Sequence, residues 1–395
     1  MKDNLKLLLK YIMRFVLRIY WLFPIKQKTV FFMANMGNGF LCNPKYLYLS
    51  LIDDKRFSGY KFIWCFINSK GKGITGIDKK TKVISKKSYF SFFYYLLTSE
   101  VIIYNCGGFS YAPIRKRQFL IETGHGGGLQ KRNGFLVESK SKASKKGIAI
   151  ASEDIKLWLA SDKMHEKLYI RNAMKYKGEI LKSGYPRNDI LFKQDPLLIR
   201  SVRQQLGIRD EVHIVLYAPT FRGKEDKALT FSKDAERINV DIVKKELEDR
   251  FGGEWEFAKR GHLYSHNIPG VEADYDWTGY DDMQELLLIS DVLISDYSSS
   301  IWDFFLLCRP TFLFVSDRKY YEERDRGFYI PIEQWPGIIV NNNNEWNQAI
   351  SEFDEKKYWD KLEQYRIFMN PYEKGSACEA VKNRILEETE KAKTF

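Results

Sequence analysis

Past Pro24 the chain is a succession of short apolar runs. "TVFFMAN" (29–35), "YKFIWCFIN" (60–68), "EVIIYNC" (100–106) and "QFLIET" (118–123) each have the length and residue types of a strand buried on both faces. Helix-like segments lie between several of them, such as "PKYLYLSLI" (44–52) and "SYFSFFYYLL" (88–97). Parallel strands need crossover connections, so this alternation calls for a parallel sheet covered by helices on both sides. The pattern then recurs. "HIVLYAP" (213–219), "WEFAKR" (255–260), "DVLISDY" (291–297), "PTFLFV" (310–315) and "GIIVN" (337–341) read as strands. "VDIVKKELEDRF" (240–251), "DDMQELLLIS" (281–290) and "SIWDFFLLC" (300–308) read as helices. A polar stretch at 192–212 parts the two series. The expectation is an α/β protein of two doubly wound domains, at 24–192 and 193–375, facing a cleft. A helix at 1–23 precedes them and a C-terminal helix at 376–395 follows. The basic stretch "ESKSKASKKG" (138–147) reads as a solvated loop.

The length of 395 residues suits two or three domains, and 44% hydrophobic content excludes a disordered chain. A net charge of +12 favours an acidic partner: a nucleic acid, a phosphorylated small molecule or an anionic membrane surface. No RNA-binding motif is present, and the aromatics sit in apolar runs rather than alternating with arginines, so nucleic acid is set aside. Cys42, Cys65, Cys106, Cys308 and Cys378 are scattered and form no CxxC pair. That pattern suits a reducing cytosol, without a disulfide framework or a zinc site; no cofactor is expected.

The N-terminus, "MKDNLKLLLKYIMRFVLRIYWLFPIK", has its apolar run interrupted by Arg14 and Arg18 and carries no small-residue cleavage site. The expectation is therefore neither a spanning segment nor a signal peptide. Lys6, Lys10, Arg14 and Arg18 recur every fourth residue, which sets four cations along one helical stripe. This suits a helix lying in a membrane interface with its basic groups toward anionic headgroups. The alternative is a helix packed on the domain with solvated lysines.

Several strand ends carry chemistry. In "LISDYSSSIWDFFLLCRP" (293–310) a strand leads into a helix through Asp296, Tyr297 and three serines. One of Ser298, Ser299 and Ser300 suffices to cap the helix; with the other hydroxyls and the unpaired N–H groups of the first turn, the segment makes a phosphate seat. "ETGHGGGLQKR" (122–132) places His125 at a strand exit beside Gly126, Gly127 and Gly128, which permit close approach to a ligand. An α/β hydrolase would need a G-x-S-x-G elbow, and "GFSYA" (108–112) does not supply one. "LYAPTFRG" (216–223) and "AKRGHLYSH" (258–266) end strands with Arg222, and with Arg260 and His262. The "DYD" at 274–276 reads as an acidic loop.

Together, "CNPKYLYLSL", "GHGGGLQKR", "SGYPRNDIL", "VLYAPTFRG", "YDDMQELLLISDVLISDYSSSIWDFFLLCRP" and "YEKGSACEAV" resemble, in content and order, the CDP-glycerol:poly(glycerophosphate) glycerophosphotransferases. These are the wall teichoic acid primases and polymerases. The resemblance implies a GT-B-like fold, transfer without a bound metal, and a donor held mainly by the C-terminal domain. It implies that His125 takes the proton of an acceptor hydroxyl and that Arg222, His262, Ser298 and Ser299 meet the donor pyrophosphate, with Asp296 and Asp303 ordering that loop and helix. His266 is a rival for His262, because Leu263 stands where the family usually has Pro. Gly127 likewise replaces a Thr. Gly126, Gly127, Arg187, Asn188, Asp189 and Arg260 complete the expected substrate contacts. The reaction implied transfers polyol phosphate, glycerol phosphate foremost, from CDP-glycerol or a related CDP-polyol to a lipid-linked glycan acceptor at the cytoplasmic face of the membrane, with loss of CMP. A ribitol-phosphate transferase, a nucleotide-sugar glycosyltransferase and a non-catalytic binding protein are the alternatives.

Overall fold

The computed structural model describes residues 2–68, 76–128, 131–137, 140–220, 223–224, 227–228, 236–261, 268, 270–324 and 327–391. The chain forms two compact units, one from residues 1–127, 133–189 and 371–395, the other from 128–132 and 190–370.

The first unit is built on a seven-stranded sheet in the order β3-β2-β1-β4-β5-β6-β7. Its strands are β1 (Lys26–Met33), β2 (Lys61–Phe66), β3 (Lys82–Ser85), β4 (Ser99–Tyr104), β5 (Phe119–Glu122), β6 (Leu157–Leu159) and β7 (Glu179–Leu181). Every neighbouring pair is parallel. Alternate residues of β1 serve opposite faces, as a pleated strand requires. Phe31 meets Phe92 of helix α3 (Tyr89–Thr98) with ring centres 6.1 Å apart. Phe32 stacks on Trp64 at 5.3 Å and meets Tyr48 of helix α2 (Cys42–Ile52) at 5.5 Å. All six residues of β4 are buried. The strand order reverses between β1 and β4, which is where ligands of such sheets bind.

The segment expected to be a solvated loop at 138–147 is helical from Lys142 onward, forming α4 (Lys142–Asp154); residues 138–139 lie outside the described residues. Ser141 Oγ accepts from Ser144 N at 3.1 Å and caps it. Ala143 and Gly147, four residues apart, are buried. Small side chains there let a neighbouring helix approach, while the lysines between them gave the sequence its loop-like polarity.

That neighbour is α1 (Lys2–Val16). Arg14 pairs with Asp154 at 2.7 Å and donates to Ala112 O at 2.8 Å. Ser141 Oγ donates to Asp3 at 2.6 Å, and burial lowers the Lys10 pKa, with help from Lys6. Lys10 and Arg14 therefore turn toward the protein, contrary to a stripe of four cations facing lipid. The Asp154 carboxylate and the Ala112 carbonyl compete for Arg14 better than solvent does. The outward face is apolar: Leu5, Leu8, Leu9, Ile12, Phe15, Val16 and Ile19 are 49–73% exposed. Among the described residues no helix is long and apolar enough to cross a membrane.

The second unit repeats the plan. Its six-stranded parallel sheet runs, in spatial order, Tyr275–Asp276, Trp255–Lys259, His213–Tyr217, Val292–Ser295, Thr311–Phe314 and Ile338–Val340. The chain order is again 3-2-1-4-5-6. Two doubly wound α/β units of this kind make the fold GT-B-like.

Candidate active site

Three adjacent strands of the first sheet end side by side. β1 delivers Asn35, β4 delivers Asn105, and β5 delivers Thr123, Gly124 and His125. Asn105 Oδ1 accepts from the Asn35 backbone N–H at 2.8 Å, and Asn105 Nδ2 donates to Asn35 Oδ1 at 3.0 Å. The same Nδ2 lies 3.4 Å from His125 Nδ1. Cys42 Sγ is 3.9 Å from that nitrogen. The His125 residue itself is exposed, whereas Asn105 and Cys42 are buried.

The loop carrying His125 is clamped from three sides. Asn43, at the start of α2, donates to Thr123 O at 2.7 Å and Gly124 O at 2.9 Å, and accepts from Arg187 N at 3.1 Å. Arg187 Nη1 donates to His125 O at 2.7 Å and to Cys42 Sγ at 3.3 Å. Glu122 Oε1 accepts from Gly124 N at 3.0 Å. Burial pushes the Glu122 carboxyl up to about 8, against the pull of Gly124 N–H and the Tyr104 hydroxyl. Gly124 has φ +73°, and a Cβ there would stand 2.5 Å from Tyr185 Oη, so both conformation and space demand glycine. Tyr185 donates to Gly126 O at 3.4 Å, and Gly127 is buried beside Ser161 and Tyr185.

The "GYPRND" segment divides its work. Arg187 joins the His125 loop, but Asn188 donates to Glu373 at 3.0 Å and is buried. Asp189 accepts from the N–H groups of Ala377 at 2.9 Å and Cys378 at 2.8 Å, and so caps the helix Ala377–Lys391. Asn188 and Asp189, expected among the substrate contacts, thus fasten the returning C-terminal segment. Asn35, Asn43, Asn105 and Glu122 were not singled out from sequence. Their one legible signal is position, since each lies at a strand end or helix start on the ligand-binding edge.

In the second unit the strand Val292–Ser295 has neighbours on both sides, and the serine segment leaves its carboxyl end. The buried Asp296 accepts from Thr220 N at 2.7 Å and from Tyr297 N. Ser298 Oγ accepts from Ser300 N at 3.4 Å and from Ser300 Oγ at 3.0 Å. Ser299 is half-buried and makes no side-chain cap for the short helix Ser300–Phe304. Asp303, on that helix, accepts from Gln284 Nε2 at 2.9 Å. Asp296 thus holds the loop and Asp303 ties its helix to Gln284. Arg260 donates to Tyr280 O at 3.3 Å; burial lowers its pKa, offset in part by Asp282 and Asp281. Arg222, His262 and His266 lie outside the described residues.

Comparison with known proteins matches this architecture. The teichoic acid poly(glycerol phosphate) polymerase of Bacillus spizizenii is 28% identical, over 96% of this chain and 99% of its own length. The poly(glycerol phosphate) polymerase of Bacillus subtilis is 27% identical over 85% of this chain, which spans only 45% of that protein. A solved structure of the wall teichoic acid polymerase TagF superposes with TM-score 0.80 at 24% identity, covering 99% of this chain and 97% of that one. The sequence profile of one family matches residues 15–387. The chain belongs to the CDP-glycerol:poly(glycerophosphate) glycerophosphotransferase family.

Proposed function

We propose that this enzyme moves glycerol phosphate from CDP-glycerol to a hydroxyl of a growing, lipid-linked polymer and releases CMP. Family membership carries the reaction, and the built environment of His125 supports its place in it. A histidine held at a strand exit by Asn43, Asn105 and Arg187 has its ring position fixed before substrate arrives, and such preorganisation is what phosphoryl transfer demands of a protein. In the second unit Ser298 and Ser299, with Arg222 and His262, are assigned to the donor pyrophosphate. Asp296 and Asp303 keep that seat in shape. Arg260 is tied to Tyr280 O and is assigned to shaping the wall of the donor site. Arg187 is assigned to the His125 loop, with Gly126 and Gly127 allowing a substrate close to the backbone. The acceptor half is assigned to the first unit, with the C-terminal segment that returns to it, and the donor half to the second.

The acceptor places the enzyme at a membrane. The apolar outer face of α1, continued by Ile19, Trp21 and Leu22, is the surface proposed to enter the headgroup region on the cytoplasmic side. The decisive experiment measures nucleotide release. CMP from CDP-glycerol in the presence of a lipid-linked acceptor is expected. Faster release from CDP-ribitol would move the donor assignment to ribitol, and UDP release from a UDP-sugar would replace it.

A further inference from the structure

At the carboxyl edge of the first sheet, β1 leaves through a turn that residues with a Cβ rarely adopt. Asn35 has φ +44°, Met36 +58° and Gly37 +100°. Three hydrogen bonds hold the turn. Asn105 Oδ1 accepts from Asn35 N at 2.8 Å, Ala34 O from Gly37 N at 2.7 Å, and Gly37 O from Ile67 N at 2.8 Å. The Met36 carbonyl is left to Lys86. That lysine directly follows β3, where its own N–H donates to Phe66 O at 2.6 Å, and its Nζ donates to Met36 O at 3.1 Å. The side chain thus carries its charge from the rim of β3 across β2 to the exit of β1. Among the described residues no carboxylate pairs with Lys86. A carbonyl occupies one of the three donors of an ammonium and neutralises none of its charge.

The neighbours of that ammonium along the edge are uncharged. Asn35, Met36 and Asn105 do not ionise. Burial pushes the Cys106 thiol up to about 12 and the Glu122 carboxyl up to about 8, so both hold their protons at neutral pH. Adjacent strands stand about 4.8 Å apart, which sets the exit of β1 roughly 10 Å from that of β5, where His125 stands. Met36 is 39% exposed and covers Gly107, where a Cβ would stand 2.5 Å from Met36 Cγ. An apolar side chain from β1 and the Asn105 amide from β4 therefore occupy the edge between the ammonium and the imidazole.

Resting on the phosphotransferase reading above, we infer that Lys86 is an acceptor-binding residue that takes the last phosphate of the growing polymer, so that the free hydroxyl of the same glycerol unit comes to His125. The dimensions agree. Five bonds separate the phosphorus of a glycerol phosphate from its far hydroxyl oxygen, roughly 6 Å in extended form at ordinary bond lengths. A hydrogen bond of about 3 Å at each end closes the span. Lysine suits the task because it meets a phosphate as a point charge on a long stem and asks for no fixed fork geometry. An acceptor with a neutral linkage at that distance leaves the ammonium without its partner, which is how a charged site discriminates. The site thus favours a chain end that already carries glycerol phosphate over a bare glycan.

The test compares two acceptors, with CDP-glycerol as donor and CMP release as the readout. One is a short lipid-linked oligo(glycerol phosphate). The other is the same molecule with its last phosphodiester replaced by a neutral methyl phosphotriester. Lys86→Met keeps the length of the side chain and loses its charge. It should raise the KM of the charged acceptor at least about tenfold, the loss expected for a hydrogen bond between charged groups. The KM of the neutral acceptor and the Kd of CDP-glycerol should not move. Lys86→Arg, which keeps the charge, should recover most of the lost affinity. An unchanged KM in Lys86→Met overturns the inference, as does an equal rise for both acceptors. If the wild-type protein releases no CMP, the phosphotransferase reading falls, and calorimetry with a soluble oligo(glycerol phosphate) decides the inference separately. Weaker binding by Lys86→Met than by wild type upholds the phosphate seat; equal binding, or none by either, overturns it.

Discussion

The Arg187 guanidinium donates to the backbone carbonyl of His125 at 2.7 Å while remaining 5% exposed, so a buried charge anchors the backbone beneath an exposed histidine at the exit of β5. Arg187 also stands over the Tyr185 ring, 5.5 Å from its centre, and Tyr185 supports Gly126. Replacing Arg187 by Lys keeps a charge but loses the planar fork. A hydrogen bond from a charged group contributes about 1.5–3 kcal/mol. Arg187→Lys is therefore expected to lower kcat roughly 10–100-fold in a protein that still folds; steady-state kinetics beside a thermal melt check this. Unchanged kcat would mean that the loop holds its shape without the arginine.

His125→Ala is expected to cost at least about a hundredfold in turnover, the range for loss of a positioned acid–base or charge-stabilising group. Circular dichroism must show the fold intact. Turnover near the wild-type value would remove His125 from the chemistry.

Ser298→Ala with Ser299→Ala is expected to weaken CDP-glycerol binding by about tenfold or more, from the loss of hydroxyl bonds to a charged ligand. Acceptor binding should change far less. Calorimetric titration with CDP-glycerol separates the two, and unchanged donor affinity would leave these serines as loop formers.

Glu122 gives the fold a pH signature. Its carboxyl is pushed up to about 8 in the folded protein, chiefly by burial, against about 4.3 in an unfolded chain. Between those values the unfolded chain is ionised while the native one holds a proton. Stability thus falls as pH rises, by up to about 1.4 kcal/mol per pH unit, and levels off above the folded value. Glu122→Gln mimics the protonated acid and should flatten this decline between about pH 5 and 8. Urea melts across that range test it; a parallel decline in the variant would place the dependence elsewhere.

At the N-terminus, Phe15→Ser on α1 with Ile19→Ser just beyond it should abolish most binding to anionic vesicles without loosening the first unit, because both side chains point outward at 73% and 60% exposure. Salt should weaken wild-type binding less than four lipid-facing cations would imply, since Arg14 is engaged with Asp154. Vesicle co-sedimentation decides. Full retention by the variant would locate the membrane contact on another surface.

Much of this protein was legible in the sequence because its signals are local. Apolar runs of strand length, separated by helical periods, dictate doubly wound sheets, and the serines after "VLIS" or the glycines after His125 announce themselves at strand exits. Short strands were harder. β6 has three residues, too few for a period to register, and exists through its neighbours. Helix α4 was hidden for a related reason, as its small-residue stripe has meaning only where α1 packs on it.

Residue identity alone determined that a histidine would stand at a strand end beside glycines. The tertiary structure decided what that histidine faces. Asn35, Asn105 and His125 come from strand ends that become neighbours only through the sheet order, and Asn43 and Arg187 reach the same loop from 144 residues apart in sequence. Hydrogen-bond direction depends on distances of a few tenths of an ångström and on which group is an obligate donor. A linear pattern carries neither, and so the surroundings of His125, the inward turn of Arg14 and the use of Asp189 as a helix cap were fixed only when distant segments met.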